Sequence, residues 1–386
     1  MKRFAPVIAI GLALIAATAS ALTPLGALWI AHTPSTAQIV TVMGDTGGAG
    51  GTSRMAFVDI GMLWSDFETA KNTYEGTTEV DTVKAALPAG TKYKIDVYTG
   101  IFAPFWLAAD GVPMINTVWG NGLPTGGIWP AFCATVSYPV FWDTAKYLPD
   151  LQAMITHLAS LYASDPNLIE VKDTGLASLT DEQFVTTNSV VQNITNGVTN
   201  CNTLNDMSEL ATAGYTQRVA ETAFKTISGY WAAAFPNIPV SAQFIAQGFP
   251  AITPGNPDAA PTVKEANIQG SGIGTVNLGP METILAADGA SVVNRWKYQN
   301  NSLNVGGPFV RGSSGTLNEY QSGGAMGTNM LGGVSLMFTG LGGVAPEYEF
   351  NTSDLYTGVT NPGGNNDKAI NLLVGLAPQV HSGGNP

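Results

Sequence analysis

Residues 57–107 constrain the fold more than any other part of this chain. A β-like run leads to Trp64-Ser65-Asp66-Phe67-Glu68, a helix-like segment spans Glu79 to Leu87, and Pro88-Ala89-Gly90 closes it. A second β-like run, Tyr93 to Thr99, leads through Gly100 to Ala103-Pro104-Phe105-Trp106-Leu107. Strand, helix and strand joined by short breaks form a βα unit. Such a unit implies parallel strands, because a crossover helix returns the chain to the same end of the sheet.

The same alternation extends along the chain. β-like runs are expected at Gln38 to Met43, Met55 to Met62, Tyr93 to Thr99, Asn167 to Lys172, Ile238 to Ile245, Ser291 to Tyr298, Thr316 to Gln321 and Val344 to Phe350. Apolar residues three and four apart predict helices over Asp150 to Tyr162 and Gly214 to Phe235. Further helices are expected from Glu282, over Met326 to Phe338, and from Asp367 to Leu376. Eight alternations fit an α/β fold, a (β/α)8 TIM barrel. The excess length falls in loops at 110–141, 174–213 and 249–279, all at the C-terminal face where barrel enzymes keep their sites.

The N-terminus reads as an export signal. Lys2 and Arg3 precede an apolar stretch from Pro6 to Ala17, and Ala19-Ser20-Ala21 supplies small residues for cleavage. A signal peptide over 1–21 leaves a single barrel domain over 22–386, secreted to the extracellular space or the periplasm. No later stretch reaches the ~20 apolar residues that a membrane span needs. Only 11% of residues are charged and the net charge is −12, which argues against a nucleic-acid partner. A lysine-poor surface also limits the build-up of positive charge in acid.

Cys133 and Cys201 are the two cysteines, and in an exported chain such a pair is expected to form one disulfide. With His32, His157 and His381 they make no metal-ligand spacing, so no metal is expected.

The order Trp-Ser-Asp-x-Glu, Tyr, x-Val-Asp, Gly-x-Lys and Gly-Ile-x-x-Pro-x-Trp-Leu in residues 61–107 resembles the second and third βα units of retaining (β/α)8 glycoside hydrolases. The likeness is nearest to β-galactosidase-like members and covers roughly residues 55–185. It implies a carbohydrate substrate, no cofactor, and two carboxyl groups that act as nucleophile and acid/base. In that clan the acid/base follows strand four and the nucleophile ends strand seven.

After the fourth run, the clan's usual Asn-Glu pair is missing. Glu182 is the acid/base candidate, with Asp173 at the strand end as its alternative. Thr180-Asp181-Glu182-Gln183 also reads as a helix-capping start. In the seventh run Glu319 is the nucleophile candidate, and an exposed loop glutamate is the other reading. Glu347 and Glu349, on one face of the eighth run, are the alternatives.

Trp64, Asp66, Trp106, Trp119 and Trp129 follow the second and third runs and are the substrate-binding candidates. Sugar rings stack their C–H faces on indoles, although large aromatics also pack long loops. A non-catalytic carbohydrate-binding or cell-surface barrel is the alternative to a hydrolase.

Overall fold

The structure is a computed structural model, describing residues 25–30, 34–47, 53–119, 127–131, 134–176, 185, 206–238, 240–244, 281–285, 308–312 and 348–371. The signal region 1–21, Cys133, Cys201, Glu182, Glu319 and Glu347 lie outside the described residues. So do the sixth and seventh expected runs and the helix expected over 326–338.

From residue 25 to 244 strands and helices alternate. The strands are β1 (Leu25–Ile30), β2 (Phe57–Leu63), β5 (Lys92–Tyr98), β8 (Leu168–Asp173) and β9 (Val240–Phe244). Neighbours pair in parallel in that order. Between them run α1 (Thr36–Met43), α3 (Glu79–Ala86), α5 (Tyr147–Tyr162), and the pair α6 (Asp206–Thr212) and α7 (Gln217–Ala234). Two short helices, α2 (Trp64–Phe67) and α4 (Trp106–Ala109), lie just beyond β2 and β5. Two hairpins complete this half: β3 (Glu68–Ala70) with β4 (Thr73–Tyr74), and β6 (Met114–Val118) with β7 (Thr135–Pro139).

The expected TIM barrel is overturned by the remaining strands. They are β10 (Met281–Leu285), β11 (Pro308–Gly312) and β12 (Tyr348–Asn351), and β12 leads into α8 (Thr352–Thr360). Hydrogen-bonded neighbours run β1-β12-β11-β10-β9-β8-β5-β2, and β2 pairs back with β1. A (β/α)8 barrel requires eight parallel strands. Here β10 runs antiparallel to both β9 and β11. The segment expected to start a helix at Glu282 is part of this strand, where Thr283 and Ile284 bring β-branched side chains suited to an extended backbone. The fold is a parallel sheet centred on β2, β5 and β8, joined to antiparallel strand pairs.

The first expected strand is also corrected. Gln38 to Met43 is helical because Ser35 and Gln38 form a capping box: the Gln38 amide donates to Ser35 Oγ at 3.2 Å, and the Ser35 amide donates to Gln38 Oε1 at 3.0 Å. Two satisfied helix-end donors outweigh the β preference of Ile39, Val40 and Val42. The first strand is instead β1, in the apolar stretch ahead of α1.

The centre of the sheet is covered on both faces. All of β2 is buried, and all of β5 except Lys92. Alternation sends Val58, Ile60, Met62, Ile95, Val97 and Val171 to one face, where they join a core with Ile39, Val83, Leu151, Ile155, Phe224 and Ile227 of the helices. The opposite face carries Phe57, Asp59, Lys94, Asp96, Tyr98, Glu170 and Lys172, all buried.

Candidate functional site

Five buried charges on that second face form two ion-paired groups. Lys94 Nζ lies 3.0 Å from Glu170 Oε1 and 4.7 Å from the centre of the Phe57 ring. Lys172 Nζ lies 2.5 Å from Asp96 Oδ2 and 3.9 Å from Asp59 Oδ2. Sheet register explains the first pair, because Lys94 sits beside Glu170 across β5 and β8. Buried charges are tolerated only when paired in this way. Sequence reasoning passed over this network. Its signal was charge at every second position of otherwise apolar strands, in Lys94-Ile95-Asp96 and Glu170-Val171-Lys172.

The tryptophan candidates gather beyond the C-terminal ends of β2 and β5, which are adjacent because Leu63 pairs with Tyr98. Trp64 is fully buried. Its indole Nε1 donates to Glu68 Oε2 at 2.8 Å, and its ring meets Tyr147 edge-on at 5.8 Å. The other Glu68 oxygen accepts from the Asn72 amide at 2.8 Å, and the Glu68 carbonyl accepts from Trp106 Nε1 at 3.0 Å. Glu68 therefore knots α2, the β3–β4 turn and α4 together. Burial pushes its carboxyl up, opposed by the bonds from Trp64 and Asn72. Trp106 is half-buried, with Lys71 Nζ 5.8 Å from its ring centre.

The long loop after β5 folds into the β6–β7 hairpin, and this brings two more candidates together. Trp119 and Trp129 stack at 5.7 Å and 19°. Trp129 also meets Tyr98 at 6.4 Å and Phe102 at 5.5 Å, both edge-on. Trp119 is buried and Trp129 half-buried, so Trp129 is the member that reaches the surface of this cluster.

Asp66 separates from Trp64. It lines a cleft of about 550 Å³ together with Ser35, Thr36, Ser65, Thr69, Glu75, Thr78 and Glu79. This cleft lies where the chain leaves β1 and β2. Among the described residues its wall offers carboxylates and hydroxyls, with no aromatic or cationic side chain. That chemistry suits hydrogen bonding to a polyhydroxylated ligand.

Asp173 is fully buried and shares the face of Val171. Its carboxylate accepts a hydrogen bond from Ser228 of α7, which marks that face as the helix-covered one. Burial pushes its pKa up to about 8, opposed by the Ser228 bond. Next to it, the Thr174 carbonyl accepts from Trp231 Nε1 at 2.9 Å. Asp173 thus anchors α7. Glu349 falls within β12, where its backbone is in register with Gly26 and Arg311.

Among the described residues no group of three His, Cys, Asp or Glu side chains is placed to hold a metal ion. None of the described helices is long and apolar enough to cross a membrane. Comparison with protein-family models and with curated proteins finds no match to this chain.

Proposed function

We propose that this exported protein recognises a β-linked glycan at the C-terminal ends of β2 and β5 and hydrolyses it. One observation carries the reading: Trp106 and Trp129, the half-buried members of the tryptophan group, lie beyond the C-terminal ends of β2 and β5, and Asp66, which follows β2, lines a cleft of hydroxyls and carboxylates. Aromatic faces with nearby hydrogen-bonding groups are the two things a sugar needs from a protein surface.

In this reading Glu319 attacks the anomeric carbon while Glu182 protonates the leaving oxygen. Glu182 then takes a proton from the water that releases the sugar. No metal or organic cofactor takes part. The test is cleavage of aryl β-glycosides, with product configuration followed by NMR. Net retention supports the assignment, and inversion replaces the nucleophile with a base.

A second reading, a carbohydrate-binding protein without catalysis, is favoured by a specific feature. Two of the carboxylates described at or beyond the C-terminal strand ends, Glu68 and Asp173, are buried and committed to hydrogen bonds within the fold. Binding of glycans with no cleavage of any of them would select it.

A further inference from the structure

Phe105 gives the fold little in return for its position. It is 92% exposed, while the other large exposed hydrophobics among the described residues, Val40 and Leu161, are 38% and 44% exposed. It occupies the N-cap of α4 with φ −62° and ψ −26° and makes no side-chain capping bond. A Ser, Thr, Asp or Asn at an N-cap would supply a capping bond, and this chain forgoes it.

The segment that presents Phe105 is firmly held. Phe102, Ala103 and Pro104 before it are buried, as is Leu107 after it. The Leu107 amide donates to the Pro104 carbonyl at 3.1 Å, and the Asp110 amide donates to the Trp106 carbonyl at 2.8 Å. Trp106 is tied to the Glu68 carbonyl. A mobile loop would bury such a ring by collapse, whereas this one holds it in solvent.

We propose that Phe105 is a stacking platform for one sugar ring of an extended glycan, an outer subsite beside the tryptophan cluster. This rests on the carbohydrate reading above. Patch size decides the occupant. A stable protein interface buries ~800 Å² per partner, whereas one aromatic side chain offers roughly 150–250 Å². Charged groups lie close in the chain and in space to the neighbouring Trp106, with Asp110 paired to Lys71 at 2.7 Å and Lys71 Nζ 5.8 Å from the Trp106 ring centre. A single ring bordered by hydrogen-bonding groups matches the C–H face and hydroxyl rim of one sugar.

The test compares the full chain with Phe105→Ala and Phe105→Trp. Binding to soluble mixed-linkage β-glucan, galactan and arabinoxylan is measured by affinity electrophoresis, beside cleavage of aryl β-monosaccharides. The Ala variant should bind the preferred polysaccharide about 3- to 10-fold more weakly, with an unchanged melting temperature and unchanged aryl-glycoside cleavage. The Trp variant should bind at least as tightly as the parent. Parent-like polysaccharide binding by the Ala variant overturns the subsite and leaves the carbohydrate reading standing. A parent protein that neither binds nor cleaves any glycan overturns both. Self-association of the parent that Phe105→Ala abolishes would put a second copy on this ring instead of a sugar.

Discussion

Lys172 on β8 reaches across the sheet to Asp96 on β5, its Nζ 2.5 Å from the carboxylate, and holds Asp59 of β2 at 3.9 Å. One ammonium thus links the three central parallel strands from within. Replacing it with Met leaves two buried carboxylates without their cation. The expected loss is about 3–5 kcal/mol, read as a lower urea midpoint with an unchanged slope. Removing both members of the neighbouring pair, as Lys94→Met with Glu170→Leu, should cost much less, since no lone charge remains. Equal losses in the two variants would show that packing, and not charge pairing, carries the strands.

Stability should fall as pH rises. The Asp173 carboxyl has an ordinary value of 3.8 and is raised by burial to about 8 in the folded protein. The folded state therefore holds a proton that the unfolded chain releases. Its contribution is fully present below about pH 4 and is lost as pH climbs through about 8. Glu68 shifts in the same direction and adds to the trend. Melting temperatures across this window should decline, and Asp173→Asn should flatten the slope. A slope unchanged in that variant would locate the titration elsewhere.

Gly175 follows β8 with φ +125°, and a Cβ there would sit 2.6 Å from Leu151 Cδ2. The backbone angle favours glycine, and any side chain there would also have to push the Leu151 methyl of α5 aside. Gly175→Ala should destabilise by about 1–3 kcal/mol in a denaturant titration. The change should also disturb Tyr147, whose hydroxyl donates to the Gly175 carbonyl at 2.7 Å and whose ring packs on Trp64. A shift in tryptophan fluorescence would report that link, and an unaltered spectrum would break it.

Glu68→Ala removes the acceptor of the buried Trp64 indole and of the amide of Asn72, an exposed residue. The unsatisfied buried indole N–H costs about 1–3 kcal/mol, while the Asn72 amide can turn to water. Glu68→Gln keeps one acceptor oxygen and should cost roughly half as much, which thermal melts of the two variants would separate.

The first half of the fold was legible where local signals agreed. Leu151, Met154, Ile155 and Leu158 repeat at helical spacing, and they are buried in α5. Met55 to Met62 and Tyr93 to Thr99 read as strands, and the strands found there are β2 (Phe57–Leu63) and β5 (Lys92–Tyr98). Reading failed where a short-range bond outweighed composition, as Ser35 and Gln38 did in turning a β-branched run into α1. It failed again at Met281–Leu285, because strand direction depends on distant partners that no local pattern encodes. For the candidate site, Trp64 and Trp106 follow the second and third expected runs in the sequence and lie beyond β2 and β5 in the fold. The sequence did not show that Trp64 would turn into the core to meet Glu68 while Asp66, two residues on, faced the cleft.

The most direct test of the central claim is hydrolysis of a panel of aryl β-glycosides by the purified protein, beside Glu182→Gln and Glu319→Gln. The account predicts cleavage with retained configuration and a loss of orders of magnitude in each variant. A folded protein that cleaves none of them and binds no glycan would contradict it.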